Sequence, residues 1–149
     1  MREIAGDIWD YRDAGFWIGI TTNGEVKSGA NVMGRGVAQQ AKEKIAGVAE
    51  LIGRRILANG NHVSVLEKER LFTFPVKDRW RFPATLDLIM QSGRELAILI
   101  DAGELGQDDI YLVRPGCGSG GLRWREVKPV LAASLGAAVQ RVTIVDRVA

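Results

Sequence analysis

The hydrophobic period switches several times along the chain, from β-prone apolar runs to three- and four-residue spacing, which is the pattern of an alternating α/β protein. Residues 16–22 (FWIGITT) form the first such run, and the Asn23-Gly24 pair closes it as a turn does. From about Gly36 the spacing becomes helical. Val37, Ala41, Ile45, Val48 and Ile52 fall on one face, and Asn59-Gly60 supplies a C-terminal cap. Two short strands are predicted at 62–66 and 71–76, joined by the charged turn 67–70. Pro83 stands just ahead of a second helix over about 84–102, with Leu86, Ile89, Met90 and Leu96 as its buried stripe. A strand at 110–113, a helix over about 124–138 and a terminal strand at 142–145 follow. The expected fold class is α/β, with helices flanking a mostly parallel or mixed sheet in three layers.

Composition narrows this picture. A chain of 149 residues is sized for one domain, expected to run 1–149, and 46% hydrophobic residues suffice for a real core. With 20 Lys+Arg against 18 Asp+Glu the net charge is +2, so any electrostatic footprint for nucleic acid is local. No apolar run approaches the roughly 18 residues of a membrane span. Arg2, Glu3 and Asp7 leave no apolar stretch for a signal peptide, so a cytoplasmic protein without a membrane partner is expected. The single Cys117 excludes an internal disulfide and a Cys-rich zinc site. The expected site uses no metal and no cofactor.

Two glycine loops carry the candidate chemistry. Gly116, Gly118, Gly120 and Gly121 lie where a strand hands over to a helix, and Asn31-Val32-Met33-Gly34-Arg35-Gly36 also precedes one. Such loops present main-chain N–H groups with a helix N-terminus behind them and no side chain in the way of an anion. Two of them together can cradle a diphosphate from both sides. Residues 116–121 also match G-x-G-x-x-G, with Asp146 near the place of a dinucleotide-binding acid. Only 28 residues follow Gly121, too few for the strands a Rossmann domain builds after its fingerprint.

The order of these motifs resembles that of the macro domains, α/β/α modules that bind ADP-ribose, over nearly the whole chain. Gly6-Asp7-Ile8 is similar to the family's opening motif, and the resemblance gives Asp7 the adenine amino group, with Ile8 beside it. Thr22-Asn23 resembles the strand end whose Asn23 faces the distal ribose. Residues 32–38 resemble the first ribose and phosphate loop, assigning ligand contacts to Gly34, Gly36 and Val37. Residues 115–122 resemble the second diphosphate loop, assigning Gly116, Cys117, Gly118, Ser119, Gly120, Gly121 and Leu122. The segment Phe74-Pro75-Val76-Lys77-Asp78-Arg79-Trp80 resembles the branch of terminal ADP-ribose glycohydrolases and DNA ADP-ribosyl glycohydrolase antitoxins, in which the lysine matching Lys77 is catalytic. An amine there can attack C1″ of the distal ribose, or its open-chain aldehyde, and displace the attached group. Burial, or the neighbouring Arg79 and Arg81, would lower its pKa. The sequence also departs from the branch. Gly120 stands where one glycohydrolase type has an aspartate partner, and Arg79 where some DNA-acting relatives carry a histidine.

The resemblance thus implies an ADP-ribose-binding hydrolase acting on an ADP-ribosylated protein or nucleic acid. The alternatives are a non-catalytic ADP-ribose reader and an ADP-ribose 1″-phosphate phosphatase. Plainer roles stand beside these. Asp7 is also placed as a helix N-cap, and Asn23 as half of a turn pair. Cys117 reads as a part-buried loop residue, since the one histidine, His62, lies far off in sequence. Trp80, Arg79, Arg81, Arg123, Arg125 and Lys128 read as a solvated rim or as a local nucleic-acid contact.

Overall fold

The computed structural model describes residues 1–147. Its centre is a six-stranded sheet built from β1 (Arg2–Gly6), β2 (Ile18–Asn23), β5 (Val65–Leu66), β6 (Leu71–Lys77), β7 (Ile110–Val113) and β8 (Val142–Arg147), in the order β1-β8-β7-β2-β6-β5. All neighbours pair parallel except β5, which runs antiparallel to β6 as the hairpin reading expects. A two-stranded ribbon, β3 (Val26–Lys27) with β4 (Ala30–Asn31), rises between β2 and the first loop.

The strands of this mixed sheet bury both faces, and alternate side chains go to opposite sides. Ile18, Ile20, Leu71, Tyr111 and Val145 face one core, together with α1 (Ile8–Asp13), α2 (Gly36–Lys44) and α3 (Val48–Asn59). Phe72, Phe74, Leu112 and Ile144 face the other, covered by α4 (Leu86–Asp101) and α5 (Trp124–Leu135). This is the three-layer α/β/α sandwich that the alternating pattern predicts.

Several boundaries differ from the sequence reading. The single helical stripe from Gly36 to Ile52 is two helices, because Gly47 takes φ 80 and breaks it. The predicted helix 124–138 stops at Leu135, where Gly136 takes φ 57 and the chain tightens into a 3₁₀ turn, Gly136–Arg141. The strand predicted at 62–66 shortens to Val65–Leu66. Ahead of it, the Ser64 N–H donates to the Thr73 hydroxyl oxygen at 2.9 Å in place of a ladder carbonyl. β1 and α1 carry too few buried positions to show a period, so the pattern misses both.

Candidate functional site

A cavity of about 970 Å³ opens at the C-terminal ends of β1, β2, β6, β7 and β8, the five strands that run parallel. The two glycine loops meet there because of topology. The first follows β2, whose crossover helices α2 and α3 lie on one face of the sheet; the second follows β7, whose helix α5 lies on the other. β2 and β7 are neighbours, so their loops diverge around a crevice, the usual place for a ligand in an open α/β sheet.

Helix α2 begins at Gly36 after an extended Arg35, and no side chain caps it. The N–H groups of Gly36, Val37 and Ala38 therefore have no intrahelical partner, and all three residues line the cavity. In the second loop the N–H groups of Cys117, Gly121 and Leu122 are spent on the carbonyls of Arg114, Gly118 and Gly116. Those of Gly118, Ser119 and Gly120 form no such bond, and these three residues line the cavity from the opposite side. Two sets of free donors thus face one space, an arrangement of main-chain groups suited to an anion. The helix behind the second loop contributes nothing to it. The first turn of α5 lies off the cavity, so α2 is the only one of these two helices that aims its N-terminus inward.

Gly34, Gly36, Val37, Gly116, Cys117, Gly118, Ser119, Gly120, Asp7, Ile8, Asn23 and Lys77 all line this cavity. Two expected contacts do not. Leu122 packs its side chain against the core under α4 and α5 and spends its N–H on Gly116. Gly121 lies in a shallower groove of about 400 Å³ next door, shared with Arg35, Lys77, Trp80, Arg81 and Phe82.

Asp7 caps α1, with one carboxylate oxygen accepting the Trp9 N–H at 3.0 Å. The cap and the cavity position coexist, since a carboxylate has further lone pairs. Asn23 is buried and largely occupied by the ribbon. Its Nδ2 donates to the Val32 carbonyl, while its Oδ1 accepts from Glu25 N–H, both at 2.9 Å. One Nδ2 hydrogen remains for a ligand.

Lys77 ends β6 at a β-bulge, where the register with β2 skips so that Asn23 stands opposite Lys77. Its carbonyl is clamped by the Gly24 N–H (3.2 Å) and Asn61 Nδ2 (3.1 Å), and its Nζ donates to the Trp80 carbonyl at 3.1 Å. Burial, and after it the guanidinium of Arg35, holds the amine below its ordinary value. The source of the neighbouring charge differs from expectation: it is Arg35 from the first loop, not Arg79 or Arg81. Cys117 is unsuited to attack, since burial pushes its thiol up and its Sγ–H donates to the Pro115 carbonyl. His62 lies elsewhere, paired with Glu95 of α4 at 2.8 Å.

Sequence reasoning missed Arg35, Gln40, Trp80 and Arg114 among the lining residues. Arg35 stood inside the quoted loop and Trp80 inside the lysine segment; Gln40 gave no signal except its place one turn into α2. Among the described residues no cluster of three or more metal-ligating side chains is found, and no helix is long and apolar enough to cross a membrane.

No protein-family model matches the chain. A DNA ADP-ribosyl glycohydrolase of Thermus aquaticus is 30% identical over 115 residues, which is 70% of this chain but only 31% of that relative. The macrodomain of Thermus aquaticus DarG superposes with a TM-score of 0.72 at 25% identity, covering 99% of this chain and 97% of that one. The Mycobacterium tuberculosis DarG macrodomain gives 0.73 at 24% identity, covering 99% and 98%. Thermosipho africanus DarTG, solved in complex with ADP-ribose, gives 0.74 at 17% identity, covering 99% of this chain and 42% of that one. With its sheet order and these likenesses, the chain has the macro-domain fold and is similar to the macrodomains of DarG.

Proposed function

We propose that this macro domain binds ADP-ribose across the two loops and removes it from a modified macromolecule through Lys77. One observation carries the reading: unpaired N–H groups from Gly36 to Ala38 and from Gly118 to Gly120 face one cavity that has the Lys77 amine on its wall. The diphosphate takes those donors, the adenosine extends toward Asp7, and the distal ribose lies toward Asn23 and Lys77. The free amine attacks C1″, and the bond to the carrier breaks with its electron pair leaving on the carrier. The proton shed by the new ammonium goes to the departing group. Water then hydrolyses the adduct and restores the amine.

DNA is the favoured carrier, because the Thermus aquaticus relative acts on DNA and because of the groove beyond Lys77. That groove holds Trp80 and Phe82, which are 39% and 54% exposed, with Arg35 and Arg81 beside them. Exposed aromatics with guanidinium groups suit an unpaired base and its phosphates.

The test is release of ADP-ribose from an ADP-ribosylated single-stranded oligonucleotide and from an ADP-ribosylated peptide. Lys77→Ala abolishes release by the domain while calorimetric ADP-ribose affinity stays within a few-fold. Release that survives Lys77→Ala overturns the mechanism. A second reading, ADP-ribose binding without turnover, has its own support. Asp7 and Asp146 are the only carboxylates lining the cavity among the described residues, and Asp146 sits 3.4 Å from the Arg114 guanidinium, so no acid is placed to assist the amine. Tight binding with no release from either substrate would establish it.

A further inference from the structure

At the bulge that ends β6, the single Gly24 N–H is divided between the carbonyls of Lys77 (3.2 Å) and Asp78 (3.0 Å). Asn61 has two Nδ2 hydrogens, and these reach the Lys77 carbonyl and Asp78 Oδ1, each at 3.1 Å. Asn61 therefore supplies Lys77 with the undivided bond. Its amide also fills the space beside Gly24, where a Cβ would lie 2.8 Å from both Asn61 Cγ and Nδ2. Gly24 has no positive φ, so it is glycine for this close approach and not for a left-handed turn. The segment that carries Asn61 is itself anchored to α4. Val63 N–H donates to Glu95 Oε1 at 2.9 Å, and His62 Nδ1 pairs with Glu95 Oε2 at 2.8 Å. Asn61 lines neither the cavity nor the groove beside it.

We propose that Asn61 is the positioning residue for Lys77: its amide fixes the bulge that sets the amine on the cavity wall, and its packing on Gly24 ties that bulge to the end of β2 that carries Asn23. This rests on the reading of Lys77 given above. Without Asn61 the Lys77 carbonyl keeps only its share of the Gly24 hydrogen, and the end of β6 is free to shift. A misplacement of about 1 Å is enough to slow attack on C1″ by about a hundredfold. The main-chain donors for the diphosphate lie on the two glycine loops, and Asn61 makes no hydrogen bond to either. Its loss therefore falls on the rate of release and not on the affinity for ADP-ribose.

Release of ADP-ribose from an ADP-ribosylated single-stranded oligonucleotide, followed against substrate concentration and pH, tests the assignment, with calorimetric titration of ADP-ribose beside it. Asn61→Ala lowers kcat at least about tenfold and leaves KM and ADP-ribose affinity within about threefold. Its pH–rate rise also moves to higher pH, because a loosened strand end admits water to the amine. Loss of folded protein alone would lower the amplitude without moving that rise. Gly24→Ala pushes the Asn61 amide aside and lowers kcat by a similar factor. In the double variant the added methyl enters the space that Asn61 vacates, so kcat stays close to that of Asn61→Ala alone. Native kcat in a folded Asn61→Ala, an equal loss of affinity, or losses that multiply in the double variant overturn the assignment while leaving the role of Lys77 intact. A native domain that releases no ADP-ribose overturns the reading of Lys77, and this inference falls with it.

Discussion

The two glycine loops look alike in sequence and are built for different reasons. In the first, a Cβ added at Gly34 or Gly36 would meet no atom within 4 Å. In the second, a Cβ at Gly120 would stand 2.6 Å from the Gly116 carbonyl oxygen and 2.7 Å from Ala84 Cβ, and one at Gly116 about 3.0 Å from Ile89. The Gly120 carbonyl also accepts the Ala84 N–H at 3.0 Å, which ties this loop to the start of α4. Gly118, at the tip, is open, and Gly121 also meets no atom within 4 Å but stands at φ 81. The first loop is thus an uncapped helix start with open glycines, while the second is a packed strut with a short exposed tip. A glycine's role is decided by what lies beside it, not by its motif.

That contrast can be broken by substitution. Gly120→Ala is expected to destabilise the fold by about 2–3 kcal/mol, since the new methyl must displace backbone; urea unfolding reads this directly. Gly118→Val is expected to leave stability within about 0.5 kcal/mol and to weaken ADP-ribose at least about tenfold by covering the free N–H groups. Native affinity in a folded Gly118→Val would show that the tip does not hold the diphosphate. Gly36→Ala meets no neighbour but places a Cβ at φ 60, so a loss of about 1–2 kcal/mol is expected, set by backbone strain alone. If it exceeds the loss from Gly120→Ala, the distinction between the loops fails.

The smallest effect concerns charge. Lys77 is held below the ordinary lysine value of 10.5 by burial and then by Arg35, so its free amine accumulates at lower pH than for an exposed lysine. The rate at saturating substrate should rise with pH and level off below 10.5. Arg35→Gln removes the repulsion but not the burial, and should move that rise modestly to higher pH. An unmoved pH–rate profile would take Arg35, and with it the first loop, out of the chemistry.

The fold class was legible because period switches mark each buried face: Ile18 and Ile20, the α4 stripe and the run Ile110–Val113 all pack as the pattern demands. The elements missed or misjudged are those whose reason is local geometry. α1 is six residues held by the Asp7 cap, and the long helix is cut by a positive-φ glycine that periodicity cannot see. In the candidate site, both loops and Lys77 were visible as motifs, whereas Arg35 acting on Lys77 and Asn61 clamping its carbonyl were not.

The sequence by itself determined most of the strands and helices, β1 and α1 excepted, and where the chain lacks a Cβ, because those depend on near-neighbour spacing and on residue type. Only the tertiary structure decided that the bends after β2 and β7 share one cavity, since that follows from two adjacent strands sending their helices to opposite faces. It alone also decided which glycines are struts and which are openings. The pairing of β2 with β7 joins residues as far apart in the chain as Ile18 and Tyr111, and no local pattern encodes it.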